Sequence, residues 1–316
     1  MKSHRLLAPL CIALILLLSA RGASMAAEAP RRYAASIHPL AAILREITLG
    51  RAEVNRLMPP GGSPHTFEPT PSDLKGIALA QAFFYGGPGL DGEWVQKLPI
   101  PVKISMLDLV PEAERLVMAD GHEHPQEPGD AEEKDHLGEG VTDPHFWTDP
   151  LTVKAMVPRL VAELSRIDPE GKSIYVINGE RFKKRLDQLD RELRVILQPL
   201  AGEPLLLFHP SFNYLFHRYN LQSAGVVVEA PGREPSPKYL MALVKRIKDE
   251  NIRALFTEPQ LARRPALVLA EAAGIPVYEL DPIGGVPGRE SYPGLLLHNG
   301  VSLTKAIISA PEQGMR

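Results

Sequence analysis

Two series of four short apolar runs, divided by one long apolar stripe, restrict this chain to few folds. The first series is 33–37, 54–58, 82–85 and 102–107; the second is 205–208, 225–228, 254–257 and 277–280. Most are bounded by Gly, Pro or acidic residues, as strands are. Helical stretches lie between them. Residues 39–48 form one, and 72–80 opens on a Ser-Asp cap pattern. Residues 236–250 start with Ser-Pro, and 264–273 stop at Gly274. Strands alternating with helices make parallel sheets. The expected fold class is therefore α/β, with two Rossmann-like lobes, each a mostly parallel four-stranded sheet flanked by helices.

The stripe lies between the two series. Phe182, Leu186, Leu189, Leu193, Ile196 and Leu200 recur at spacings of four and three within 169–200, which predicts one long helix packed along its length. Its polar faces carry Glu180 before Lys184, Asp187 before Arg191 and Asp190 before Arg194, acid-then-base pairs worth only a few tenths of a kcal/mol each. The resulting division is a first lobe over 27–168, a linking helix over 169–200 and a second lobe over 201–316.

The amino terminus reads as a targeting segment. Lys2, His4 and Arg5 precede an apolar run over 6–18 that is short for a bilayer span, and Ser24-Met25-Ala26 fits a small-x-small cleavage pattern. Cleavage is expected after Ala26, making 1–26 a signal peptide and the mature chain a periplasmic protein with no stable membrane insertion. The single cysteine, Cys11, falls inside that segment and lacks the small preceding residue of a lipoprotein signal. A mature chain without thiols forms no disulfide and offers no thiolate, so any transition metal must be held by imidazole and carboxylate. A net charge of −3 offers no basic footprint for nucleic acid. Residues 120–142 hold His122, His124 and His136 among many acids and almost no large apolar side chain, an acidic inserted loop.

Four potential ligands fall at informative places. His65 ends the Pro-rich turn 59–65, just after a strand. His145 leaves the acidic segment in Asp143-Pro144-His145-Phe146-Trp147. His209 follows the run 205–208, and Asp281 follows 277–280. In open parallel sheets ligands bind beyond the carboxyl ends of strands. Each residue also has a plainer role open to it: His65 in a turn, His145 stacked on an aromatic neighbour, His209 capping a helix, Asp281 beginning a turn.

The segments carrying these residues resemble the zinc/manganese-type substrate-binding proteins of ABC importers. The resemblance rests on Pro59-Pro60-Gly61, on Pro64 through Leu74, and on Asp143 through Trp147 with Asp149-Pro150. It continues through Phe208 to Leu215, Glu234 to Pro237, Glu258-Pro259-Gln260 and Leu280 to Gly284. It implies two α/β lobes joined by a backbone helix, with His65, His145, His209 and Asp281 as metal ligands. The implied cargo is Zn²⁺, with Mn²⁺ as the alternative, and the implied partner is the membrane permease of the importer, served by a monomer. His38 stands where relatives often carry an aromatic residue and is expected near the cleft wall or the surface, not among the ligands. Three imidazoles and one carboxylate without sulfur suit tetrahedral zinc, whereas manganese prefers more oxygen.

Capture and delivery, not bond making, is the expected work. A manganese- or iron-carrying protein of the same type is the nearer rival. An exported zinc metallohydrolase is the rival from another class. It needs an open coordination position, and the chain has neither a His-Glu-x-x-His run nor a Gly-x-Ser-x-Gly turn.

Overall fold

The computed structural model describes residues 31–118, 141–228 and 235–310. The expected signal peptide, most of the expected acidic loop and the segments 229–234 and 311–316 lie outside the described residues. No helix among the described residues is long and apolar enough to cross a membrane.

The first lobe runs β1 (Arg31–Ala35), α1 (His38–Thr48), β2 (Ala52–Arg56), α2 (Pro71–Ile77), β3 (Ala82–Tyr85), α3 (Gly92–Val95), β4 (Lys103–Ser105) and α4 (Met106–Leu109). Two long helices follow, α5 (Pro150–Ile167) and α6 (Lys172–Leu197). The second lobe runs β5 (Pro204–Leu207), α7 (Asn213–Tyr219), β6 (Gln222–Val226), α8 (Pro237–Asp249), β7 (Leu255–Thr257), α9 (Arg263–Ala273), β8 (Val277–Glu279) and α10 (Tyr292–Ser309). The sheets are ordered β2-β1-β3-β4 and β6-β5-β7-β8. Every pairing is parallel. This is the two-lobed α/β arrangement expected from the sequence.

The inner strands β1, β3, β5 and β7 are apolar at successive positions because both faces of each sheet are covered there, whereas edge strands such as β2 carry polar residues. Tyr33 and Ala35 on β1, Phe84 on β3, Leu205 and Leu207 on β5 and Phe256 on β7 point into one core that runs through both lobes. Ala34, Phe83 and Tyr85 point into a satellite core under the outer face of the first sheet, and Leu206 and Leu255 into its counterpart in the second lobe.

The 26-residue α6, about 39 Å long at 1.5 Å per residue, carries the shared core. Phe182, Leu186, Leu189 and Leu193 of the stripe are buried, whereas Ile196 is half-buried and Leu197 takes its inward place. A 3₁₀ turn at each end, Pro169–Gly171 and Gln198–Leu200, completes the helical stretch. Gly179 lets α5 approach closely, since a Cβ there would lie 2.8 Å from Val161. Of the three expected acid–base pairs, Asp190–Arg194 forms; Glu180 pairs instead with Lys183, and Asp187 with Lys154 of α5. Long side chains choose among neighbours at i+3, i+4 and across helices, so spacing alone leaves the partner open.

One further helix differs from what the sequence suggested, and another is long despite an internal proline. α2 is capped by Thr70, not Ser72: its hydroxyl accepts from the Asp73 amide while the Asp73 carboxylate accepts from the Thr70 amide. α5 is a full 18 residues despite Pro158 in its interior. Its opening is fixed by Asp149, which accepts from the Leu151 amide at 2.8 Å.

The lobes meet through buried hydrogen bonds as well as through the core. The Trp147 indole donates to the Pro282 carbonyl at 2.8 Å, and Tyr292 donates to the Trp147 carbonyl at 2.8 Å. Tyr214 donates to the Asp143 carbonyl and Arg218 to the Asp149 carboxylate. The flanks of the acidic segment pair with each other: Val117 bridges Thr142 antiparallel, and the Met118 amide donates to Val141.

Candidate metal centre

Parallel sheets point the carboxyl ends of their strands the same way, and the chain uses those ends here. His65 is carried by the loop between β2 and α2, His209 by the turn between β5 and α7, and His145 by the segment entering the 3₁₀ turn Phe146–Thr148. Residues 65, 145 and 209 are far apart in sequence, yet their rings form a nearly equilateral triangle. Centroids lie 5.4 Å apart for His65 and His145, 5.2 Å for His65 and His209, and 5.4 Å for His145 and His209. One nitrogen from each falls within 4.8 Å of the others, the only such group of His, Cys, Asp or Glu among the described residues. The Nε2 atoms of His65 and His145 are 3.3 Å apart. Two nitrogens bound to one tetrahedral ion at about 2.0 Å lie about 3.3 Å from each other.

The second nitrogens matter as much. His145 Nδ1 meets Asp143 Oδ1 at 2.8 Å, and the same oxygen accepts the His145 amide at 2.9 Å. Asp143 is itself held by Asn213, which donates to Oδ2 at 2.9 Å. A carboxylate on Nδ1 fixes the tautomer with Nε2 carrying the lone pair. His65 is tied to the Gly89 backbone. Burial, followed by the neighbouring His145, pushes its pKa down to about 4. A ring that stays neutral is one that can donate to a metal.

The cavity enclosed by the triangle is small, about 10 Å³, and is lined further by Trp147, Ser211, Glu258 and Gln260. Glu258 is buried, accepts from the Ser211 hydroxyl at 2.6 Å, and is pushed up to about 7, mainly by burial. Asp281 is buried beyond β8 but outside the imidazole group. Its Oδ1 accepts from Gln260 at 2.8 Å and from the amides of Ile283 and Gly284 at 3.0 and 2.9 Å; its Oδ2 accepts from Arg289 at 2.8 Å. The structure thus gathers the three sequence-predicted histidines and sets the predicted aspartate in a separate cluster of donors.

Sequence reasoning placed Asp143 and Glu258 inside motifs but gave neither a role at the site. Asp143 had a readable signal, a carboxylate two residues before a histidine, the reach needed for a carboxylate–imidazole pair. Glu258 follows the run 254–257 as His209 follows 205–208, but its approach to Ser211 and the cavity depends on β5 and β7 pairing side by side. His38 is buried, and its Nε2 meets the Glu290 carbonyl at 2.9 Å, consistent with a place at the cleft wall.

Comparison with known protein families matches residues 34–306 to the family described as "Zinc-uptake complex component A periplasmic". The chain belongs to that family. Among its relatives is "Zinc-binding protein AdcA" of Streptococcus pyogenes serotype M3, 27% identical over 275 residues that cover 85% of this chain and 53% of the relative. The chain therefore spans about half the length of that relative. "High-affinity zinc uptake system protein ZnuA" of Brucella abortus is 25% identical, with 89% of this chain and 93% of the relative covered. Among solved structures, a ZnuA deletion mutant described as "plus zinc bound" superimposes with a TM-score of 0.72 at 28% identity, covering 90% of this chain and 100% of that one. The family is one of uptake components, not of enzymes.

Proposed function

We propose that this zinc-uptake family member captures Zn²⁺ in the periplasm and delivers it to the membrane permease of an ABC importer. The observation that carries the reading is the triangle of three imidazoles, with two Nε2 atoms at tetrahedral spacing and one ring oriented by a carboxylate. Nitrogen ligands with no sulfur favour zinc over calcium, magnesium or manganese. His65, His145 and His209 are the proposed primary ligands. Asp281 is the proposed fourth: its Oδ2 accepts from Arg289 alone and retains a lone pair to donate.

In this reading the mature protein begins after Ala26, works as a monomer, and makes or breaks no covalent bond. The hydrogen bonds joining Trp147 to Pro282 and Tyr292 to Trp147 hold the lobes together, so capture needs little relative motion of the lobes. The test is a competition titration of purified protein with a chromophoric chelator against zinc and manganese. One tight zinc equivalent and a far weaker manganese response are expected. Equal affinities, or manganese the tighter, would contradict the proposal.

A further inference from the structure

A second concavity opens along the same lobe boundary and has the opposite chemistry. Its volume is about 530 Å³, and it is lined by His38 and Arg45 of α1, Asn55 and Arg56 of β2, Gly76 of α2 and Gly285 of the loop after β8. Five of the six belong to the first lobe and one to the second.

Its charges lack counter-charges. Arg56 has no hydrogen bond or ion pair among the described residues, and Arg45 donates only to the Val54 carbonyl, through Nε and Nη2 at 3.2 and 2.8 Å. Three carboxylates on neighbouring elements are engaged elsewhere, Glu46 by Arg185, Glu53 by Arg32 and Asp281 by Arg289, and the exposed Glu290 meets His38 through its backbone carbonyl. Burial and the charge of Arg45 weigh on Arg56. Two guanidiniums facing one hollow without a carboxylate repel each other, and an anion between them relieves that cost.

The backbone keeps this space open. Gly285 has φ +81, and a Cβ there would lie 2.1 Å from Arg56 Nη1 and 2.9 Å from the His38 ring. Any side chain at 285 is strained and drives the guanidinium from its place. Arg56 therefore approaches the second lobe where a positive-φ glycine leaves it room, and both line the hollow.

We propose that this hollow is a binding site for a small oxyanion, a phosphate or a carboxylate, held between Arg45 and Arg56 at the lobe boundary. The planar guanidinium presents paired N–H donors that match either group, and Asn55 adds an amide donor to the lining. The site is independent of the imidazole triangle and of the zinc reading, because none of its six lining residues is a proposed metal ligand.

The experiment uses metal-free full-length mature protein at constant ionic strength, titrated calorimetrically with inorganic phosphate and, separately, with citrate. Saturable 1:1 binding of at least one is expected, and the tighter of the two identifies the oxyanion class. Arg56→Gln and Arg45→Gln should each weaken it at least tenfold, Arg56→Lys less, and His209→Ala by less than twofold. Zinc affinity measured on the same arginine variants should stay within twofold, which verifies the fold and separates this proposal from the metal one. Absence of saturable binding with both anions, binding unchanged in both glutamine variants, or binding lost in His209→Ala would overturn it.

Discussion

Two hollows lie along the seam between the lobes, and they differ in how far their polar groups are already engaged. The imidazole cavity is about 10 Å³ and its oriented ring, His145, has one nitrogen occupied by Asp143 and the other directed at its neighbours. The arginine hollow is about 530 Å³ and exposes guanidinium donors that meet no carboxylate. Both sit past the carboxyl ends of strands, where a parallel α/β fold places its ligands. Position in the fold therefore provides a place to bind, while the unsatisfied valence of particular side chains decides whether a cation or an anion fits.

The largest expected effect separates the hollows outright. His209→Ala should lower zinc affinity by roughly 10³-fold, about 4 kcal/mol, while phosphate or citrate titrations remain unchanged. A zinc isotherm like that of the parent protein would remove His209 from the metal site. Next comes the carboxylate behind the ring. Asp143→Asn leaves the backbone amide a partner but no longer fixes the His145 tautomer, and zinc affinity should fall roughly 10–100-fold. A change under twofold would mean that the Asp143–His145 contact is structural only.

Arginine-bound carboxylates sharpen the contrast, since an aspartate gripped on all sides serves the fold. Asp168, beyond the amino ends of β1 and β2, is gripped by Arg51 through two bonds of 2.6 and 2.7 Å and by Tyr175 at 2.7 Å. Its pKa is held down at about 2, chiefly by Arg51. A depressed carboxylate stabilises the fold above its unfolded value, and that stability is lost as pH falls through the folded value. About 2 kcal/mol should therefore disappear between roughly pH 4 and pH 2. Chemical denaturation of the parent protein and of Arg51→Ala across that range should show the loss in the first and little of it in the second. Parallel pH profiles would contradict the assignment.

The smallest effect concerns the fourth metal position. Asp281→Asn should weaken zinc roughly tenfold, about 1.4 kcal/mol, and Glu258→Gln by less than threefold. The reverse order would transfer the position to Glu258, the buried carboxyl that lines the cavity.

Much of this was legible in the chain itself. Eight apolar runs with short boundaries foretold two parallel sheets, because strands covered on both faces have no polar alternation to obscure them. Their edges were less legible: β1 begins at Arg31 and β6 ends at Val226, two residues earlier than the apolar runs imply in both cases. Hydrogen bonding, not hydropathy, ends a strand. His65 and His209 could be read from their places after strands, and His145 from its motif at the exit of the acidic segment. Asp281 was placed by the same logic, but its surroundings could not be, since Arg289 and Gln260 reach it only after the second lobe has folded. Arg45 and Arg56 went unnoticed for a related reason. Surface arginines are common in any sequence, and only the fold reveals that Gly285 from the other lobe completes their hollow.

X-ray absorption at the zinc edge on the loaded mature protein tests the central claim most directly. Three imidazole nitrogens and one oxygen at about 2.0 Å, reduced by one imidazole in His65→Ala, is the predicted result. A shell of five or six oxygens with fewer than three imidazoles, unaltered in that variant, would contradict it.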